Sequence, residues 1–595
     1  MKKSVRSIKI LAIFCLFSLT AALLLAYDSP AQGYELSIYD STPWPVWLLL
    51  FIGFIGGTAI IVHQVATAGY KKSRIWITGL AVLLLSKAVL LLIPYIRGYA
   101  GWAGDHLTHL GYIKDILLSG HFPSGDFYPV THGLIFSIIS VTGTDIFMAN
   151  LITAMLSILF VLFTYLLAKE ILPDKGQQIL STLFASAILI GGSYNVYLMP
   201  NGWSIFLLPL IYYLYFKSKI LPFKILFIFL LILYPLIHPL SALIVIVSIA
   251  SLELSKWIIP FVFDRKQILA SQINYKPSII YVVIGLVSFL TWVLSFQSFR
   301  ANIRLIWKQI STGFGPDPVA EIGWSLNKVN IHGLDFVTLL FKMYGAVLIL
   351  ILLSLIGTYI VMRSIRSVGL NVEGYRYLAL VGLFFLTGAS YAAYLIGVPG
   401  LEALSGGRIL FYLEIMTPVL AVPALFMVLT KKNAFRLVRV GAVICVVFLA
   451  SVPSIISLYP SPHTIQPSTQ VTHMLFQGSE WFIEAKDETI GCAFIMTPPS
   501  RMADAIIGSA EAHGRTDLSR DLIQLPNHLG YAENSTLGAT LSNRYVTVSE
   551  FDREIYSSVW KMIGRFNDVD FKKMDIDYSV SKIYSNGGFD VYFVY

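Results

Sequence analysis

Cysteine is scarce in this chain, with three in 595 residues. Cys15 and Cys445 lie in apolar runs and Cys492 stands alone in a polar tail, so no spacing supports a disulfide framework or a zinc site. Charge is scarce as well. Only 13% of residues are charged, against roughly 25% in a soluble globular domain. With 56% hydrophobic residues and a mean hydropathy of +0.71, the chain reads as a polytopic membrane protein. Acidic residues are the scarcer sign, 34 against 43 Lys and Arg, which leaves a net charge of +9. That surplus does not point to nucleic acid, because the basic residues fall in short clusters between apolar runs, the topology signal of membrane proteins. No large polar segment separates the spans on the basic side, so the chemistry is expected on the other face or within the membrane.

What is abundant is apolar sequence. About thirteen candidate spans are read, near 8–26, 45–66, 75–94, 145–169, 178–199, 203–217, 224–237, 240–255, 277–296, 335–358, 376–396, 410–430 and 438–458. The first follows Lys2 and Lys3 and is taken as an uncleaved helix rather than a signal peptide. His238-Pro239 divides the seventh span from the eighth as a tight hairpin. Clusters such as Lys71, Lys72 and Arg74, or Lys217, Lys219 and Lys224, alternate with basic-poor loops, which places the N-terminus inside and the C-terminus outside. The run Gly133–Thr142 is too short to span and is expected to lie in the outer interface, with Pro129 in its first turn. From about residue 459 the composition becomes that of a soluble domain. Arg544–Glu550 and Asp590–Tyr595 alternate as strands do, and Asn586-Gly587-Gly588 signals a hairpin turn. Asn534-Ser535-Thr536 is a glycosylation acceptor pattern.

The most polar stretch of the first half runs from Arg97 through Gly104-Asp105-His106-Leu107-Thr108-His109 to Asp126, Tyr128-Pro129 and His132. A carboxylate beside lipid is costly without a partner or a task, which singles out Asp105. It also has the place of a helix N-cap. Glu35 and Asp40, in the first outer loop, complete the acidic set of catalytic candidates. His106 and His109 are three apart and can face one way with Asp105. Lys87 lies inside the third span, roughly 10 Å deep, and is expected to meet a headgroup or the carboxylate of Glu35, Asp40 or Asp105. Arg408, after Gly406-Gly407, begins a span and can grip a phosphate with two parallel bonds. Arg300 and Arg304 share a helix face in the long loop 297–334 and offer a second grip. His238, Tyr128 and His132 are further binding candidates.

These motifs resemble the GT-C superfamily of polytopic membrane glycosyltransferases, in its archaeal type, which includes protein mannosyltransferase, aminoarabinose transferase and oligosaccharyltransferase folds. The resemblance is carried by Gly104-Asp105-His106-Leu107-Thr108-His109, by Gly120-His121-Phe122-Pro123, by Tyr128-Pro129-Val130-Thr131-His132, by His238-Pro239 and by Arg408-Ile409-Leu410-Phe411-Tyr412. It implies an all-α polytopic fold with a small α+β extracytoplasmic domain. Residues 1–74 would then be two added helices, 75–458 a core of about eleven helices with its catalytic outer loop at 95–144, and 459–595 the outer domain. The implied activity moves a sugar from a polyprenyl-phosphate-linked (dolichyl-type) donor to a lipid, glycan or protein acceptor in the cell envelope, with membrane lipids as surroundings. Asp105 would take the acceptor proton, and Arg408, with Lys87 or Arg300, would steady the leaving phosphate. The Trp-Trp-Asp-Tyr-Gly run of oligosaccharyltransferases has no counterpart; Glu480-Trp481-Phe482 departs from it, which favours transfer of a single sugar. Members differ in metal dependence. No cofactor is therefore fixed, and a divalent cation, Mg or Mn, has Asp105 and His109 as candidate ligands. Two rival readings remain: a transporter or flippase for a lipid-linked or anionic substrate, and a non-enzymatic membrane assembly protein.

Overall fold

The computed structural model describes residues 2–595 except 264–276, 313–316, 330, 332, 402–404, 432–434, 519–524 and 534. Asn534 of the acceptor pattern therefore lies outside the described residues, as does the centre of the loop 297–334. Among the described residues nine helices are long and apolar enough to cross a membrane, and three shorter apolar helices accompany them, Pro129–Thr142, Leu221–Ile237 and Ile280–Val293. Helices Lys2–Tyr27, Trp44–Ala66 and Trp76–Ile96 pack together at one side of the bundle. Gly57 and Gly79 let the latter two touch, since a Cβ on either would meet the other's backbone oxygen at 2.9 or 3.0 Å.

Two expected spans are not continuous. The apolar run 178–199 is helical only over Lys175–Ala187. The helix stops at Ile188, whose φ of −112° and ψ of 131° are extended, and Gly191 and Gly192 then take positive φ of 84° and 49°. The buried Asn195 amide replaces the lost helical bonds by donating to the carbonyls of Ile190 (2.9 Å) and Gly192 (2.8 Å). The run 277–296 is helical over only 14 residues, Ile280–Val293. At His238 two separate helices meet, Leu221–Ile237 and Pro239–Val262, and both pack against Ile280–Val293. Pro129–Thr142 is a 14-residue helix with Pro129 in its first turn, as the sequence suggests.

The C-terminal part carries a four-stranded sheet. With β1 (Gly101–Trp102) and β2 (Gln470–Val471) counted first, its strands are β3 (Cys492–Phe494), β4 (Arg544–Ser549), β5 (Val580–Ser585) and β6 (Phe589–Val594), in the order β3-β4-β6-β5. The pair β3–β4 is parallel and the other two pairs are antiparallel. The β5–β6 turn is set by Gly587 at φ 92° and by the Asn586 side chain, which accepts from the backbone N–H of Gly588 and Phe589.

This domain is fastened to the membrane part at several places among the described residues, three of them near the first outer loops. Strand β1 of the loop after Trp76–Ile96 pairs with β2. Tyr34 of the first outer loop donates its backbone N–H to Glu550 at 2.8 Å. Helix Pro499–Ile507 lies along helix Asp105–Ser119. There Gly111 is needed for close approach, because a Cβ on it would lie 2.5 Å from the Asp504 carbonyl oxygen. Leu107, Leu110 and Ile113 share one apolar core with Val471, Leu475, Phe482 and Met502.

Candidate functional site

Helix Asp105–Ser119 opens on Gly104, whose φ of 120° and ψ of −153° suit glycine. Gly104 occupies the cap position, which corrects the expectation that Asp105 would be the N-cap. Asp105 is the first helical residue, and its carboxylate points instead to the sheet domain. Its Oδ1 accepts from the guanidinium of Arg501, whose other nitrogen reaches Thr108, and Thr108 in turn donates to Asp504. The Asp105 side chain remains 62% exposed, and no bond to its second oxygen is found among the described residues. Lys114 donates to the Ile506 carbonyl, and Asp115 accepts from the Ala510 N–H at 3.0 Å. The helix is thus held along its length.

One turn on from Asp105, on the same face, His109 ends a buried chain. Asp126 Oδ1 lies 2.8 Å from His132 Nδ1, and His132 Nε2 lies 3.1 Å from His109 Nδ1. Asp126 Oδ1 also accepts from the Tyr128 N–H at 2.8 Å. These hydrogen bonds assign the tautomers. The Asp126 carboxyl oxygen accepts from His132 Nδ1–H, so His132 Nε2 accepts from His109 Nδ1–H. That leaves the lone pair of His109 on Nε2. Burial and the neighbouring imidazole of His132 push the His109 pKa well below its ordinary value and keep the ring neutral.

Tyr128 closes this side. Its ring stacks on His238 at 5.4 Å and 8° and meets His109 edge-on at 5.5 Å. His238 Nδ1 accepts the Ser241 N–H at 3.2 Å, so the proton of its neutral ring sits on Nε2. Ser241 continues to Tyr412 (2.6 Å) and Asn201 (3.0 Å). Arg408 stands beside this group. Its charge reaches Tyr128, His238 and Tyr412. The same Tyr128 also feels the charge of Asp105. Arg408 is half-buried and makes no ion pair or hydrogen bond among the described residues. A half-buried guanidinium without a partner is costly, and an anion is the ligand that would relieve it.

His106 is part of the frame. It stacks on Tyr197 at 5.0 Å and 20°, and its Nε2 is buried with no hydrogen-bond partner among the described residues. Burial lowers its pKa from 6.5 to about 4. The folded chain therefore holds fewer protons here than the unfolded chain between these two values, and stability falls as pH drops from about 6.5 towards 4, by ~3 kcal/mol at most. His106→Phe keeps the stack, and thermal melting of that variant in detergent should fall less steeply between pH 7 and pH 4.5 than melting of the parent.

The structure brings together Asp105, His109, Tyr128, His132, His238 and Arg408. The other expected residues lie elsewhere. Glu35 is 11% exposed and spent on Arg97, with two contacts of 2.6 Å, and on the Tyr99 hydroxyl at 2.6 Å. Asp40 is 64% exposed and pairs with His463 at 3.1 Å. Lys87 meets none of the three carboxylates; it is buried between helices and donates to the Ser157 carbonyl at 3.2 Å. Arg300 and Arg304 are exposed on helix Gln297–Thr312. Asp105 Oδ1 is turned to Arg501 and His109 Nδ1 to His132, and among the described residues no group of three or more His, Cys, Asp or Glu is arranged for an ion.

Two residues of the site escape a sequence reading. Asp126 belongs to the polar stretch, but nothing in its six-residue spacing from His132 marks a pair. Arg501 stands in a tail helix 396 residues from Asp105, and no local signal joins them.

No family model matches the chain, and no curated protein matches it. Among solved structures, the crystal structure of ArnT from Cupriavidus metallidurans in the apo state is similar, with a TM-score of 0.41 and 8% identity over 87% of this chain and 98% of that one. Neither residues nor chemistry are carried from it to this chain.

Proposed function

We propose that the protein is a membrane glycosyltransferase that moves a sugar from a polyprenyl-phosphate-linked donor to a hydroxyl group of a lipid, glycan or protein at the extracytoplasmic face. The observation that carries this reading is Arg408, half-buried and unpaired among the described residues, with Tyr128 near both it and Asp105. The motif resemblance of the loop 95–144 to the GT-C superfamily supports it as well.

In this mechanism the donor phosphate rests on Arg408, and His238 Nε2–H is a second donor to it. The acceptor hydroxyl bonds to the free oxygen of Asp105, which Arg501 holds in place through Oδ1. The hydroxyl oxygen attacks the anomeric carbon as the bond from that carbon to the phosphate oxygen breaks. Polyprenyl phosphate leaves with its electron pair, and the hydroxyl proton passes to Asp105. Charge growing on the leaving oxygen is met by a guanidinium already in position, which needs no reorganisation.

The test uses the purified full chain in lipid with synthetic polyprenyl-phosphate hexoses and a panel of hydroxyl acceptors, and follows release of polyprenyl phosphate. Asp105→Asn should lower the rate by about 10²–10⁴ while donor binding is unchanged. Donor carried across vesicles with no release would overturn the reading in favour of transport. Undiminished release by Asp105→Asn would remove Asp105 from the chemistry.

A further inference from the structure

A second cationic cavity lies at the opposite end of the bundle from the sheet domain. Helix Trp44–Ala66 begins beside Asp40 and His463 and ends at this cavity. By helical rise the two ends are roughly 30 Å apart. The cavity has a volume of about 620 Å³ and lies between the ends of helices Trp44–Ala66, Val422–Thr430 and Arg436–Ile456. His63, Thr67, Thr430, Lys431, Arg436 and Arg439 supply its polar lining, and among the described residues no carboxylate lines it.

The cations are placed, not merely near. Arg439 is half-buried, and its guanidinium donates to the Lys431 carbonyl at the end of the preceding helix, which fixes it on the wall. Arg436 opens a 21-residue helix, so the free N–H groups of its first turn add to the positive field. The rest of the wall is apolar, with Leu429 and Val440. Leu437 of the lining is 85% exposed, and Phe435 and Val438, at the start of the same helix, are 67% and 66% exposed, as suits side chains facing acyl chains. A soluble phosphate uses the cations but leaves this apolar surround without a purpose. A lipid headgroup uses both.

We infer that this cavity binds the phosphate headgroup of an anionic membrane lipid, on the face opposite the Asp105–Arg408 site and independently of the transfer chemistry. Basic pockets between membrane helices recognise anionic headgroups in this way, with each cation adding to the attraction.

The experiment is native mass spectrometry of the full chain, released from mixed micelles containing phosphatidylglycerol or phosphatidylcholine. Phosphatidylglycerol should be retained preferentially. Lys431→Gln with Arg436→Gln, both exposed positions, should weaken its retention about thirtyfold and leave phosphatidylcholine unchanged. Arg363→Gln with Arg366→Gln, an exposed basic pair on helix Leu334–Val368, should change neither. Equal retention of the two lipids, an unaltered double variant at 431 and 436, or an equal loss in the control pair would overturn the inference. Displacement of phosphatidylglycerol by millimolar inorganic phosphate would overturn the lipid as the occupant and assign the cavity to a free phosphate.

Discussion

Arg408→Gln should lower sugar transfer by about 10²–10³ and leave the melting temperature of the protein where it was. The two halves of this expectation come from one fact. Arg408 makes no bond in the folded chain among the described residues, so its loss costs the fold nothing. Whatever the guanidinium contributes, it contributes to a ligand. Gln keeps two donors and most of the length but removes the charge, so a phosphate that gathers negative charge as it leaves loses more than a phosphate at rest. The change should therefore fall chiefly on kcat. Arg408→Lys should recover only part of the rate, because an ammonium is a point charge without the planar fork that holds two phosphate oxygens at once. The assay is release of polyprenyl phosphate at saturating donor. A melting temperature that falls together with the rate would show that Arg408 serves the fold instead.

Arg97→Ala should destabilise the protein by about 3–5 kcal/mol, read as loss of folded protein on heating or in denaturant in mild detergent. Arg97 is 2% exposed, and all three guanidinium nitrogens are engaged. Nε donates to Ser29 O at 2.8 Å, Nη1 to Glu35 and to Thr42 Oγ1 at 3.0 Å, and Nη2 to Glu35 and to Ser41 O at 3.1 Å. Removing it leaves the Glu35 carboxylate buried with, among the described residues, the Tyr99 hydroxyl as its one partner, and frees two backbone carbonyls. The penalty belongs to the orphaned charge rather than to the worth of the pair. Arg97→Met combined with Glu35→Leu, which fills the same space without charge, should therefore melt higher than Arg97→Ala alone. If the double variant melts lower, the pair is needed for its own attraction and this account of Glu35 is wrong.

Much of this arrangement was legible in the sequence, and the part that was not has a physical reason. Local features read well. Pro129 falls in the first turn of its helix because the missing N–H costs nothing there, and Asn586-Gly587 makes the turn its chemistry requires. Asp105 and Arg408 stood out as charges at the ends of apolar runs. What failed was anything depending on a partner far away in the chain. Lys87 was placed correctly within its span, yet its ligand is a backbone carbonyl of another helix, which no side-chain search can find. Glu35 looked as available as Asp105 until Arg97 proved to hold it. The run 178–199 is largely apolar, so its hydropathy hides the break at Ile188. Periodicity reports which face is buried, not where a helix yields.

The fastening of helix Asp105–Ser119 to helix Pro499–Ile507 also orders events in time. The ribosome completes the membrane spans before it makes Arg501, and 396 residues separate that side chain from Asp105. Until the tail emerges, Gly111 has nothing to pack against and the Asp105 carboxylate lacks its holder. The site is thus assembled last, by the end of the chain folding back on its beginning. A nascent or truncated copy that stops before Arg501 carries Arg408 and the helices before it, yet has an unfastened Asp105.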